Sequence, residues 1–134
     1  MRIVFTVTAA LLMVLSVISD SNTPFAQYKY EVQPSGNDRF GAIAYSSSTG
    51  KNGNSWNHNN LTAAQNAALA SCDQDDCKVA IWFKNACGAL AVGNNGCWEA
   101  HWGVSRSDAE NKSLNSCSQR CSDCKIISWA CTAH

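Results

Sequence analysis

Residues 41–82 decide the fold through three segments, which read GAIAY at 41–45, TAAQNAALASC at 62–72 and CKVAIW at 77–82. Similar segments return further along the chain. Gly41 and Gly88 are 47 residues apart, and Trp82 and Trp129 keep the same separation. A repeat of about this length is typical of one supersecondary unit used more than once. The sequence therefore predicts a duplicated unit.

Each copy predicts the order strand, strand, helix, strand. In the first copy two segments of strand-forming residues, 40–45 and 77–83, enclose a polar hairpin loop and a helix. Within the helix Ala64, Ala68 and Cys72 recur every four residues, which indicates one buried face. We predict an α+β fold in which tandem duplicated β-β-α-β units form an antiparallel sheet, with two helices packed on it and disulfides stapling it.

Both helices carry a candidate capping box at their start. Thr62 stands three residues before Gln65, and Ser107 stands three residues before Glu110. In this motif each side chain satisfies the backbone N–H of the other residue. The sequence therefore predicts Thr62 and Ser107 as the N-caps.

The N-terminus has the form of a secretory signal peptide. A positive charge at Arg2 precedes an apolar run over 3–18, which polar residues close. The run is shorter than the ~20 residues that cross a bilayer comfortably. We expect an exported protein, periplasmic or secreted, without membrane insertion after cleavage. The predicted organisation is a signal peptide at 1–26, an N-terminal arm at 27–39 and a single domain at 40–134, made of repeats 40–86 and 87–134.

All eight cysteines lie between Cys72 and Cys131. An even number of cysteines in a short exported chain indicates a disulfide framework. In a β-β-α-β unit the end of the helix lies near the hairpin tip and near the start of the third strand. Antiparallel pairing would also bring together the first and last strands of the second copy. These neighbours predict four bridges: Cys72–Cys77, Cys117–Cys124, Cys97–Cys121 and Cys87–Cys131.

The motif Cys121-Ser-Asp-Cys124 has two competing interpretations. A zinc site would need a second CxxC or paired histidines at suitable spacing. Thioredoxin-like chemistry would need the motif at a helix N-terminus, and here it follows a helix. We therefore interpret the cysteines as structural disulfides and predict neither a metal nor a cofactor.

No catalytic constellation stands out. The three histidines, His58, His101 and His134, are not accompanied by a recognisable nucleophile motif. Glu99 and His101 share a strand face and could form an acid/base pair, although a solvated strand face explains them more simply. The formal net charge is zero, which argues against nucleic-acid binding. We expect a binding protein and not an enzyme.

The five tryptophans are many for a domain of this size. Trp82 and Trp129 occupy equivalent strand positions, where we expect burial in the core. Features that the two copies do not share are better candidates for function, and these are the loop after the first strand and the fifth strand. Rigid frameworks usually display function on loops. The predicted partner-binding residues are Trp56, Asn57, His58, Trp98, Glu99 and His101.

A longer motif carries a family resemblance. It reads WFKNACGALAVG at 82–93 and is accompanied by GAIAYS at 41–46 and WAC at 129–131. Over about 40–131 the chain resembles the bacterial exported "domain of unknown function 4189" family. The resemblance implies an exported protein with no agreed enzymatic activity. Members similar to this chain occur as secreted effectors and as periplasmic proteins encoded near interbacterial toxins. Cys97 and Cys121 look like an addition to the family's usual cysteines.

The leading hypothesis is a small exported protein-binding module, most specifically a periplasmic immunity protein that neutralises a toxic effector in interbacterial competition. One alternative is a secreted effector that acts on host or rival cells. Another is a cell-wall hydrolase or its inhibitor. The expected partner is another protein, either a toxin or effector or a host target.

Overall fold

The computed structural model describes residues 36–132. The predicted signal peptide and most of the predicted arm lie outside the described residues, as does His134. The elements in chain order are β1 (Phe40–Tyr45), β2 (Asn52–His58), α1 (Leu61–Cys72), β3 (Lys78–Lys84), β4 (Cys87–Val92), a 3₁₀ turn (Asn94–Gly96), β5 (Trp98–Gly103), α2 (Arg106–Arg120) and β6 (Lys125–Cys131).

The duplicated β-β-α-β units and their antiparallel pairing are confirmed, but the strands form two sheets. One sheet has the order β2-β1-β3 and the other has the order β5-β4-β6. The central strands explain the difference, because β1 is buried along its whole length and β4 along all but its last residue. A single sheet with both helices on one side would leave one of these apolar faces in water. A second sheet covers that face.

The molecule therefore has four layers, in the order α1, first sheet, second sheet, α2. Ala42 and Ala44 of β1 pack against Ala64 and Ala68 of α1. Residues on the opposite face of each central strand meet between the sheets, and these include Ile43. The small alanines let each helix lie close to its sheet, and burial of this apolar surface is the main stabilising term.

In both helices the N-cap lies two residues before the predicted one. Asn60 caps α1, and its side-chain oxygen accepts a hydrogen bond from the N–H of Ala63 at 2.8 Å. Ser105 caps α2 and accepts from the N–H of Asp108 at 3.2 Å. The predicted capping boxes at Thr62 and Ser107 are therefore wrong. In α1 the earlier start lets Leu61 pack against the cluster beneath the helix. A polar residue that can cap lies at both the earlier and the later position, so local sequence alone does not decide between them.

A single aromatic ring joins the two copies. Phe83 is 1 % exposed, and a Cβ on either Gly41 or Gly88 would overlap a different edge of its ring. These two glycines are equivalent in the repeat, and they need the absence of a side chain to approach the ring. Ala130 occupies the position equivalent to Phe83, so one large and one small residue fill the space between the sheets.

Four disulfides join the pairs that the sequence predicts: Cys72–Cys77, Cys87–Cys131, Cys97–Cys121 and Cys117–Cys124. Disulfide frameworks of this kind form and persist in oxidising compartments. The folded domain is therefore extracytoplasmic. Within residues 36–132 no helix is both long enough and apolar enough to cross a membrane.

Candidate functional site

Four tryptophans occupy the same place in four different strands. Each is the fifth residue of its strand: Trp56 in β2, Trp82 in β3, Trp102 in β5 and Trp129 in β6. All four lie at the level of Gly41 and Gly88. Trp82 pairs with Ala42, Trp102 with Gly88 and Trp129 with Ala89. Trp56 directly follows Ser55, which pairs with Ala42.

These side chains are exposed to a degree that is unusual for tryptophan. The exposed fractions are 55 % for Trp56, 46 % for Trp82, 53 % for Trp102 and 41 % for Trp129. Large exposed apolar groups in a cluster are characteristic of interaction surfaces. The expected burial of Trp82 and Trp129 is therefore wrong.

The width of a helix explains the exposure of Trp82 and Trp129. A helix is about 10 Å across, whereas neighbouring strands are about 4.8 Å apart, so one helix covers roughly two strands. Helix α1 packs mainly on β1 and β2, and α2 mainly on β4 and β5. The third strand of each sheet, β3 or β6, keeps the outward-facing tryptophan in contact with water.

The tryptophans form two pairs at opposite edges of the molecule. Strand β2 lies against β6, and β3 lies against β5. The β2–β6 groove has a volume of about 510 Å³ and is lined by Asn54, Trp56, Trp129, Ala130 and Cys131. The β3–β5 groove has a volume of about 380 Å³ and is lined by Ile81, Trp82, Phe83, Lys84 and Trp102. Both volumes lie within the range of ligand-binding clefts.

Cationic side chains flank the tryptophans of both grooves. The guanidinium carbon of Arg106 lies 3.8 Å from the centroid of the Trp129 ring, and the ammonium of Lys112 lies 5.5 Å from the centroid of Trp102. Both distances fall within the range of cation–π attraction. Lys84 lines the β3–β5 groove directly. Each groove thus combines aromatic surface with a positive charge.

The two grooves differ in their polar residues, because Asn54 lines the β2–β6 groove and Lys84 lines the β3–β5 groove. Asn54 donates from Nδ2 to the Ser128 hydroxyl and to the Trp129 carbonyl, both at 3.2 Å. Its equivalent in the second copy is Ala100, which pairs with Leu90 as Asn54 pairs with Ile43. The β2–β6 groove therefore has an amide that ties the sheets together, whereas the second copy has an alanine at the equivalent position.

The six predicted partner-binding residues do not form one surface. Trp56, Asn57 and His58 are on β2, and only Trp56 lines a groove. Asn57 adopts a left-handed φ of 59° next to an irregularity in the β1–β2 ladder, a conformation that asparagine tolerates well.

The other three predicted residues, Trp98, Glu99 and His101, are on β5 at the opposite edge of the molecule. Trp98 is the first residue of β5, at the other end of the strand from Trp102. It meets the Tyr45 ring edge to face at 5.9 Å between centroids. Sequence reasoning omitted Trp82, Trp102 and Trp129 from the site, although their equal strand positions were a usable signal.

The Glu99–His101 pair does not form a nucleophile–base pair with the nearby Ser113. Nε2 of His101 lies 3.9 Å from a Glu99 oxygen, and Glu99 also accepts a hydrogen bond from Arg120. Among the described residues Nε2 has no hydrogen-bond partner. The nearby Ser113 hydroxyl is buried and donates to backbone carbonyls. Its proton is therefore not directed at the imidazole, as it would be in a nucleophile–base pair.

The three cysteine sulfurs of Cys117, Cys121 and Cys124 lie within 4.8 Å of one another. All three belong to disulfides. Metal binding requires thiolates, and a disulfide sulfur is not one. This cluster in the oxidised domain is therefore structural.

Two carboxyl groups, those of Asp76 and Asp108, have a lowered pKa. The pKa of Asp108 is lowered by the hydrogen bond from Lys112 and by a second from the N–H of Val104. The pKa of Asp76 is lowered by hydrogen bonds with Ser46 and Ser48. Asp108 pairs with Lys112, which lies over the Trp102 ring, and it therefore helps to position a cation beside the β3–β5 groove.

Comparison with known proteins identifies relatives. The family model "Domain of unknown function (DUF4189)" matches residues 40–131. Rv1813c of Mycobacterium tuberculosis, described as an uncharacterized protein, is 35 % identical over 92 residues, which cover 69 % of this chain and 59 % of the relative. The chain thus spans well under two thirds of the length of that relative.

Two further matches agree with this one. Protein Rv1269c of the same organism is 36 % identical over 94 residues, covering 70 % of each chain. The NMR structure of Rv1813c has a TM-score of 0.54 at 31 % identity, covering 69 % of this chain and 74 % of that one. The chain therefore belongs to the DUF4189 family.

Proposed function

We propose that this chain is a small exported module that binds another protein through its two tryptophan-lined grooves. In its most specific form it is a periplasmic immunity protein that neutralises a toxic effector in interbacterial competition. The observation that carries the proposal is the exposure of four tryptophans at matching positions of two sheet edges. Tryptophan is among the residues that contribute most to binding energy at protein interfaces.

Several features favour binding over catalysis. The grooves are open and lined by aromatic and aliphatic side chains, without a cluster of titratable groups. A perturbed pKa in a cleft is the usual mark of a catalytic group. The two groups with lowered pKa, Asp76 and Asp108, line neither groove, and local hydrogen bonds explain both shifts. Four disulfides hold the framework rigid, which lowers the entropy lost on association.

Co-purification from the periplasm tests the proposal. The wild-type chain should retain a specific protein, identified by mass spectrometry, and a Trp56→Ala/Trp102→Ala variant should lose it. Trp98→Ala is the matched control, because Trp98 lies outside both grooves. If the double variant retains the protein as well as wild type does, the grooves are not the binding surface.

A deletion strain tests the immunity role separately. Cells without the gene should be poisoned by sibling cells that deliver the toxin, and expression of the wild-type chain should restore growth. The variant with both groove tryptophans replaced should not. Normal growth of the deletion strain beside its siblings, together with reduced damage to host or rival cells, would replace the immunity role with that of a secreted effector.

A further inference from the structure

The two grooves are equivalent under the internal repeat. Exchange of the two copies converts β2 into β5 and β6 into β3, and it therefore converts the β2–β6 groove into the β3–β5 groove. Each groove contains one tryptophan from a second strand and one from a third strand. A partner feature that contacts the two tryptophans of one groove should consequently also contact those of the other.

We propose that each groove accepts an acidic segment of a partner protein that carries an apolar side chain, so that one chain holds two such segments. This inference rests on the proposed function, because it assumes that the grooves bind protein. It adds the chemistry of the partner and the number of sites.

The charges beside the grooves favour an acidic segment. The cations are Lys84 and Lys112 at the β3–β5 groove and Arg106 at the β2–β6 groove. Among the described residues no aspartate or glutamate lines either groove. The turn after α1, at 73–76, carries three aspartates and lies at the other end of the strands from the tryptophans. An acidic segment would therefore be attracted to the grooves and repelled from that turn.

The three cations are ion-paired, but in each pair the cation is the more exposed partner. The side-chain exposures are 38 % and 14 % for Lys84 and Asp38, 52 % and 23 % for Arg106 and Glu110, and 49 % and 32 % for Lys112 and Asp108. Exposed pairs of this kind contribute only about 0–1 kcal/mol. A carboxylate of a partner can therefore approach the cation from solvent. It can form a second ion pair with that cation at little cost in the stability of the fold.

The groove surfaces specify the rest of the segment. Ile81 and Phe83 accompany the two tryptophans of the β3–β5 groove, and Ala130 accompanies those of the β2–β6 groove. Such surfaces gain free energy by covering apolar area, at roughly 25 cal/mol per Å². A leucine or phenylalanine side chain would supply that area. Acidic residues on either side of it would reach the cations.

Titration with synthetic peptides, followed by NMR of the tryptophan indole N–H groups, tests the inference. The probe is acetyl-Asp-Glu-Leu-Phe-Glu-Asp-amide, and its counterpart has lysine in place of each acidic residue. The acidic peptide should shift the indole signals of Trp56, Trp82, Trp102 and Trp129, leave that of Trp98 in place, and saturate at two peptides per chain. The lysine peptide should bind at least about tenfold more weakly.

Paired variants assign the two sites. Trp56→Ala/Trp129→Ala should reduce the stoichiometry to one, and so should Trp82→Ala/Trp102→Ala at the other groove. Replacing Lys84 and Lys112 by glutamine should weaken binding about fivefold at the β3–β5 groove alone, as expected from exposed charge pairs of about 0.5 kcal/mol each. These side chains are exposed, and we therefore expect the variants to fold. Indole signals of the remaining tryptophans at unchanged positions confirm that each variant is folded.

Several outcomes would overturn the inference. They are equal binding of the lysine peptide, saturation at one peptide per chain, and the absence of a saturable shift at about 1 mM peptide, a concentration that detects even weak complexes. The inference and the proposed function fail separately. A periplasmic partner that binds the grooves through a basic segment would refute the inference alone. Binding of two acidic peptides without any periplasmic partner would refute the proposed function alone.

Discussion

Exchanging the residues at positions 83 and 130 tests whether the two copies share one core. Phe83 and Ala130 are equivalent in the repeat, and both are buried between the sheets, with exposures of 1 % and 5 %. The Phe83 ring contacts the glycines of both copies, Gly41 and Gly88. A phenylalanine at 130 should reach much of the same space from the other side. The perturbation is therefore the pair of single substitutions, Phe83→Ala and Ala130→Phe, and their combination.

The expected magnitudes follow from the burial of the two positions. Phe83→Ala leaves a cavity at a fully buried site and should cost about 3–5 kcal/mol. Ala130→Phe forces a second ring beside the first and should cost about 1–3 kcal/mol. Independent sites would give a sum of about 4–8 kcal/mol. Because the new ring fills the cavity that the old one leaves, the double variant should be at least about 1 kcal/mol more stable than Phe83→Ala.

Guanidinium unfolding of the oxidised proteins, followed by tryptophan fluorescence, measures these differences. The control combines Phe83→Ala with Ala64→Phe, because Ala64 is also fully buried but lies beneath α1, in another cluster. That combination should be no more stable to unfolding than Phe83→Ala alone. If Phe83→Ala/Ala130→Phe is as unstable as the sum of its parts, the two positions do not share one space, and the description of a common core is wrong.

Three further predictions concern the framework. Asn60→Ala should lower the free energy of unfolding by about 1 kcal/mol, and Thr62→Ala should change it much less; chemical unfolding separates the two, and the reverse order would restore the later helix start. Hydrogen bonds from Ser46 and Ser48 lower the pKa of Asp76 in the folded protein below its ordinary value of 3.8. The ionised carboxylate therefore stabilises the fold fully at a pH above the pKa of the unfolded state, and this stability is lost as the pH falls through the pKa of the folded state. An NMR titration of the Asp76 carboxyl that gives 3.8 or more would contradict this. Reduction should raise the intact mass by the eight hydrogens of four disulfides, and a smaller gain would show that a bridge is absent.

The repeat made most of the fold predictable from the sequence. Strand β1 begins and ends where the pattern predicts, and equivalent spacing fixed the order of the elements in both copies. The number of sheets was not predictable in this way, because alternation and spacing describe each strand and not the layer that covers it. Only the burial of both faces of β1 and β4 shows that a second sheet is required.

The candidate site depends on the second sheet, because each groove lies where an edge strand of one sheet meets an edge strand of the other. The exposure of Trp82 follows from its place on the third strand of a sheet whose helix covers the other two. The residue pattern within β3 shows which face Trp82 is on, but it does not show which strands of the sheet the helix covers. The local pattern therefore led to the wrong environment for Trp82 and Trp129, and the predicted partner-binding residues do not include these two groove residues.

A structural role for the four groove tryptophans also has to be considered, because sheet edges need protection from pairing with other chains. Edge strands commonly use lysine for this purpose, and Lys78, Lys84 and Lys125 already lie at the ends of β3 and β6. Tryptophans that remain about half exposed add apolar surface to an edge instead of removing it. In a duplicated framework, packing explains why buried residues are shared by the two copies, as it does for Gly41 and Gly88. It does not explain why exposed tryptophans are shared. Recognition of a partner at both edges does explain it, and this is the reason for assigning function to the positions that the copies have in common.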